Sequence, residues 1–215
     1  MTQFRADMFD PLTLTVFAAL AVMSVTVVSV FFFKLLQFSR LGVGRRHLAE
    51  QIINTWLSGQ AETAMQQAAA RQSVLSRILH AVFTGLRARP GETAYAEELG
   101  RQTAIAELST LSDRMRLLEI AVHAAPMMGL LGTVIGMIDA FSVLAQSQAA
   151  ADPAALAGGI WTALTTTAAG LAVALVAFFL TSWLDSRIER ERNLIEVLIS
   201  AAIHGRVDQS ARVQG

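Results

Sequence analysis

Cysteine is absent from the 215 residues, which excludes disulfides, thiolate metal sites and cysteine nucleophiles. Charge is scarce. Asp, Glu, Lys and Arg make up 16% of the chain, against about a quarter in an ordinary soluble domain. The 17 basic and 17 acidic side chains cancel, and Lys34 is the only lysine beside sixteen Arg. Without a basic tail or a cationic patch interleaved with aromatics, nucleic acid is excluded as the main partner. Only four prolines and one tyrosine occur, and 53% of residues are hydrophobic. The mean hydropathy is +0.48. A soluble enzyme built on one globular core is not expected from these values. A small polytopic membrane protein is.

The charge deficit is regional. From Leu12 to Phe33, 22 residues carry no Asp, Glu, Lys, Arg or His, enough for about 33 Å of helix at roughly 1.5 Å per residue. A second apolar stretch runs from Ile120 to about Leu144 with His123 and Asp139 inside it, and a third, Ala154 to Leu184, has no charge. Asp7 and Asp10 precede the first run, whereas Lys34, Arg40, Arg45 and Arg46 follow it. A secretory signal peptide has the opposite order. Residues 40–116 hold ten Arg and residues 185–215 hold five, while the linker after Leu144 holds only Asp152. The positive-inside rule therefore predicts a periplasmic N-terminus (1–10) and spans over 11–36, 117–145 and 154–184. It assigns 146–153 to a periplasmic loop, and a helical region (37–116) and tail (185–215) to the cytoplasm. The expected fold is all-α, with three transmembrane helices and long cytoplasmic helical extensions. Trp183 beside Asp185 and Arg187 fits an anchor at the inner interface.

Helix punctuation agrees with that division. Asp10-Pro11 and Asp152-Pro153 each place a capping acceptor before a proline at the first helical position. The third helix meets no clear stop until His204-Gly205, so it continues past the membrane. Pro90-Gly91 marks a turn. Arg45 to Leu86 reads as helical and amphipathic, and Leu99, Leu108, Leu111, Met115 and Leu118 recur at helical spacing toward the second span.

Small and hydroxyl residues dominate the second and third spans. Gly129, Gly132 and Gly136 fall on one helical stripe, the last two as a GxxxG, which lets a neighbouring backbone approach closely. The third span contains Gly158-Gly159-Ile160-Trp161-Thr162-Ala163-Leu164-Thr165-Thr166-Thr167-Ala168-Ala169-Gly170-Leu171. Threonine hydroxyls in such helices bond to carbonyls of the preceding turn, and four Thr in six residues is more than packing alone requires. Here the chain resembles the MotA/TolQ/ExbB proton-channel family, within it the TolQ and ExbB branch. Family members look like Ala-Pro-x-x-Gly-Leu-x-Gly-Thr-Val-x-Gly in the second span, as in Ala125 to Gly136. In the third they look like Gly-Ile-x-Glu-Ala-Leu-x-x-Thr-Ala-x-Gly-Leu, as in Gly159 to Leu171.

That resemblance implies a ring-forming inner-membrane homopentamer around a single-span partner of the ExbD/TolR type, which carries the main protonated acid. The proton-motive force would then drive work delivered to the outer membrane through a TonB- or TolA-like protein. It implies no enzyme activity and no cofactor or metal. Thr133 and Thr167 fall on the family's pore-facing threonines, and both lie 17 residues from a turn centred near Ala150, hence at similar depth in an antiparallel hairpin. Thr162 and Thr166 join them as candidate pore-lining residues, and Gly170 joins the packing glycines. Two departures stand out: Thr162 replaces the family's usual Glu, and Val176 replaces a frequent Pro. Asp139, in the layer of Trp161 and Thr162, is either a substitute relay acid or a helix-end residue reaching outer-face water.

Glu119 and His123 share one helical face, which suits an intrahelical pair better than a metal site. The Arg/Glu mixture of residues 185–196 reads as a solvated helical face paired between subunits. Two other functions fit the same features: a MotA-like stator, although that branch has four spans and a larger cytoplasmic domain, and a non-conducting ring-forming scaffold.

Overall fold

The computed structural model describes residues 11–71, 73–146 and 153–205, and the described residues contain helices but no strand. Seven helices follow in order: α1 Pro11–Leu41, α2 Arg46–Leu57, α3 Ala61–Ala69, α4 Val74–Ala88, α5 Thr93–Ser112, α6 Met115–Gln146 and α7 Pro153–His204. Three of them, α1, α6 and α7, contain stretches long and apolar enough to cross a membrane. At 52 residues, α7 extends about 78 Å at roughly 1.5 Å per residue. The expected periplasmic N-terminus, the centre of the outer loop and the last ten residues lie outside the described residues.

The chain divides into two compact units, one from Met1–Phe32 and Arg114–Ser182, the other from Phe33–Asp113 and Trp183–Gly215. In the first unit, Val16 and Leu20 of α1 meet Ala125 of α6 and Ala174 of α7, with Met23, Met128, Ile135, Ala169 and Val173 packed around them. Its outer surface is apolar as well. Leu14, Val22, Met127, Leu130, Ile138, Leu171 and Phe179 are all exposed, an arrangement that water would not tolerate over so large an area and lipid would. Backbone polar groups are consumed within the helices, and Thr15, Thr26, Thr165 and Thr181 donate to carbonyls three or four residues back. Pro126 sits inside α6 without ending it.

In the second unit, α4 buries Val74, Leu75, Ile78, Leu79, Val82 and Phe83. Ser73 caps α4 by accepting from the Ser76 amide at 3.3 Å, and Trp56 of α2 stacks on Phe83 with ring centroids 4.1 Å apart. The α4–α5 hairpin closes through small residues: a Cβ at Gly85 would lie 2.7 Å from the Ala96 Cα, and one at Gly100 2.5 Å from Val82. Ile195, Leu198, Ala201 and Ala202 of α7 are buried, and Ile199 packs beside Gly100. The stretch from Arg45 to Leu86, read as helical, holds three helices, α2, α3 and α4. Gly59 breaks the first with φ +84°, a left-handed conformation that glycine adopts without steric cost, and the Ser73 cap restarts the chain as α4.

Candidate functional site

The motif-bearing faces of α6 and α7 meet backbone to backbone. A Cβ added to Gly129 would lie 3.0 Å from the Thr166 carbonyl oxygen and the Thr167 Cα; at Gly136 it would lie 2.9 Å from the Ala163 Cβ. At Gly170 it would strike the Ala125 carbonyl oxygen at 2.5 Å, and at Gly159 the Ala140 Cβ at 2.6 Å. The residue numbers of each pair sum to nearly the same value, as antiparallel packing of α6 and α7 requires. Gly129, Gly132, Gly136 and Gly170 therefore lie in one contact, along with Gly159.

Two threonines secure it. Thr166 is fully buried, and its hydroxyl lies 2.6 Å from the Ala163 carbonyl and 3.2 Å from that of Gly129. Thr167 donates to the same Gly129 carbonyl at 3.0 Å. Within one chain, both hydroxyls are thus committed to the α6–α7 contact. Thr133 faces elsewhere. Half-buried, it donates to the Leu130 carbonyl at 2.6 Å and lines a shallow concavity of about 520 Å³ with Val134, Met137, Ile138 and Phe141. Thr133 and Thr167 are close in depth, on the register set by the glycines, but point to different surroundings. Asp139 is exposed near the C-terminal end of α6, where its carbonyl accepts from the Ser142 hydroxyl at 2.9 Å. Thr162 is half-buried and its neighbour Trp161 is 74% exposed. Glu119 and His123 are both exposed on α6.

Two charged residues carry roles that the pattern of charges does not reveal. Lys34 is fully buried, with its ammonium donating to the Leu111 carbonyl at 2.8 Å and to Gln37 Oε1 at 3.0 Å. Gln37 in turn donates to the Thr110 carbonyl at 3.0 Å. Together they satisfy carbonyls in the last turn of α5, where a cation also opposes the helix dipole. Glu191 corrects the reading of residues 185–196 as a uniformly solvated face. It is 2% exposed, while Asp185, Arg187, Glu189, Arg190 and Arg192 are exposed. Its Oε2 accepts from the Gly44 amide at 2.9 Å. The reason is positional: residue 191 lies on the stripe of α7 that also buries Leu184, Ile195 and Leu198. A sequence signal existed in that spacing, and in the glycines at 42 and 44.

The MotA/TolQ/ExbB proton channel family matches residues 49–197, from α2 through most of α7. An ExbB homolog described as a biopolymer transport protein in Methanothermobacter thermautotrophicus is 36% identical over 141 residues, 65% of this chain and 48% of that protein. The biopolymer transport protein exbB1 of Vibrio cholerae is 36% identical over 90 residues, 39% of this chain and 40% of its own. An ExbB-like protein of Synechocystis is 34% identical over 110 residues, 51% of each chain. This chain spans about half or less of the length of these relatives. With more than half of its length matched, and with the two glycine and threonine motifs meeting in one helix contact, the chain belongs to the MotA/TolQ/ExbB proton channel family, on its ExbB/TolQ branch.

Proposed function

We propose that the protein is a motor subunit of the bacterial inner membrane that uses the proton-motive force, with a single-span partner of the ExbD/TolR type, to energise work at the outer membrane through a TonB- or TolA-like protein. The relatives' description as biopolymer transport proteins supports this reading. In the proposed assembly five copies form a ring, the N-terminus lies in the periplasm and the C-terminus in the cytoplasm. The subunit catalyses no covalent chemistry. The observation that carries the reading is the α6–α7 contact: it takes up the glycines of both motifs and leaves the Thr133 face of α6, apolar except for one hydroxyl, without a partner among the described residues. Such a face suits the wall of a narrow pore, where a hydroxyl can hydrogen-bond a carboxyl of the partner or a water.

Thr162, standing where the family usually has Glu, favours a second reading, a ring that holds its partner without carrying protons itself. Proteoliposomes containing the ring and a single-span partner from the same organism discriminate the two. Under the motor reading, Thr133→Val leaves the pentamer intact by native mass spectrometry and reduces proton uptake driven by a membrane potential. Undiminished uptake in that variant removes Thr133 from the pathway. An intact pentamer with no uptake in the wild type supports the scaffold.

A further inference from the structure

We propose that Glu191 is a proton-binding site outside the membrane-spanning segments, whose neutral form latches the α1–α2 loop onto α7. The geometry is a contact between a glycine loop and a helix in which Glu191 and Gly42 are buried while Gly44 is exposed. Gly44, with φ +86°, turns its amide toward α7 and donates to Glu191 Oε2 at 2.9 Å. The other carboxyl oxygen, Oε1, is buried without a hydrogen-bond partner. In the ionised state that atom is a bare anionic oxygen out of water, whereas in the neutral state it carries a proton and only a neutral group goes unpaired. The first costs far more than the second.

The charged neighbours do not neutralise it. On α7, Arg187 lies one turn before Glu191, with its Nη1 3.7 Å from where a Gly44 Cβ would stand and its guanidinium over the Trp183 ring. Arg190 donates to the Ser186 carbonyl and Arg192 pairs with Glu189. On the loop side, Arg45 packs against Gly42 and Arg46 pairs with Glu50 at 2.6 Å. Ser73, the cap of α4, lies beside Gly42 and carries no charge. Among the described residues, no ion pair reaches Glu191. Burial accordingly pushes its carboxyl above the usual 4.5, and the Gly44 hydrogen bond pulls back only part of the way. Because the folded chain holds this proton more tightly than the unfolded chain, its stabilising contribution is complete at and below pH 4.5 and is lost as pH rises through the folded-state value.

The latch thus closes at low pH and loosens as pH rises toward the folded-state value. Its cytoplasmic placement rests on the topology proposed above, but its chemistry does not. The test is amide hydrogen exchange at Gly44 in the full chain in lipid nanodiscs, corrected for the intrinsic pH dependence of exchange. In the wild type, protection should be highest at and below pH 4.5, fall by up to about tenfold per pH unit as pH rises toward the folded-state value, and level off above it. In Glu191→Gln, which imitates the neutral acid, protection should stay high and flat. Wild-type protection that does not change with pH, or a Gln variant with the same slope as the wild type, overturns the proposal. Should the variant fail to fold, carbon NMR of the wild-type Glu191 carboxyl decides, and a midpoint at or below 4.5 rejects the site. Neither measurement depends on proton transport or on a partner.

Discussion

Replacing Gly132 by alanine adds one methyl group at one of the two tightest points of the α6–α7 contact. The new Cβ would lie 2.5 Å from Thr166 Oγ1, 2.6 Å from its Cβ and 3.0 Å from its Cγ2, where ordinary contact begins at 3.4 Å. Rotating Thr166 gives no relief, because its Cβ is itself too close. The helices must separate by about 1 Å, which stretches the Thr166 and Thr167 bonds to the Gly129 carbonyl from 3.2 and 3.0 Å. Overpacking costs about 1–3 kcal/mol, and two interhelical hydrogen bonds in a bilayer contribute about 0.6 kcal/mol each. Against this, alanine is favoured over glycine within a helix by about 1 kcal/mol. The net expectation is a loss of about 1–3 kcal/mol. For a chain of this size that lowers Tm by roughly 3–10 °C, measurable by circular dichroism or tryptophan fluorescence in mild detergent. Gly158 supplies the control. Nothing lies within 4 Å of a Cβ placed there, so Gly158→Ala should leave Tm unchanged or raise it. A Gly132→Ala protein that melts with the wild type, or equal losses in both variants, would refute the contact as the source of stability.

Lys34→Met keeps the apolar stem but strands the Leu111 carbonyl, and should destabilise the protein by about 1–3 kcal/mol, read as a lower denaturant midpoint with α5 as the first amides to exchange. Asp139→Asn distinguishes a relay acid from a solvated helix end: loss of potential-driven proton uptake, partly restored by adding Thr162→Glu, fits a relay, and normal uptake assigns Asp139 to outer-face water. Cysteines introduced at Gln3 and Gln148 should react with an impermeant thiol reagent applied to intact cells, and one at Gln209 should not. Labelling at Gln209 would invert the proposed topology.

Much of the fold could be read from residue order because the features that build it are repeated. Uncharged runs of 22 and 31 residues admit few structures other than spanning helices, and glycines at positions 129, 132 and 136 mark one side of a helix whatever it meets. The breaks within residues 45–86 were less legible: an Ala- and Gln-rich amphipathic pattern continues across Ser58-Gly59, and the stop there is a single left-handed glycine. Thr166 and Thr167 show the limit for the site. Adjacent hydroxyls on one helix can turn toward a pore or toward a neighbour's carbonyl, and a pattern of residue types does not distinguish these. Lys34 and Glu191 were hidden for a related reason. Charge at a membrane boundary signals topology, and the specific carbonyl or amide that makes burial tolerable is 77 or 147 residues away in sequence.

The glycine contact also determines which parts of the first unit can move. A slip of α7 along α6 by one residue would bring a side chain where only hydrogen now fits, and both threonine bonds to Gly129 would have to break together. The pair therefore behaves as one stiff rod. Against it, α1 rests on Val16, Leu20 and Met23, side chains that exchange partners through small changes of rotamer, and Met most readily of all. Mechanical compliance in this unit is concentrated at the α1 seam, and a displacement imposed on either α6 or α7 is transmitted along both.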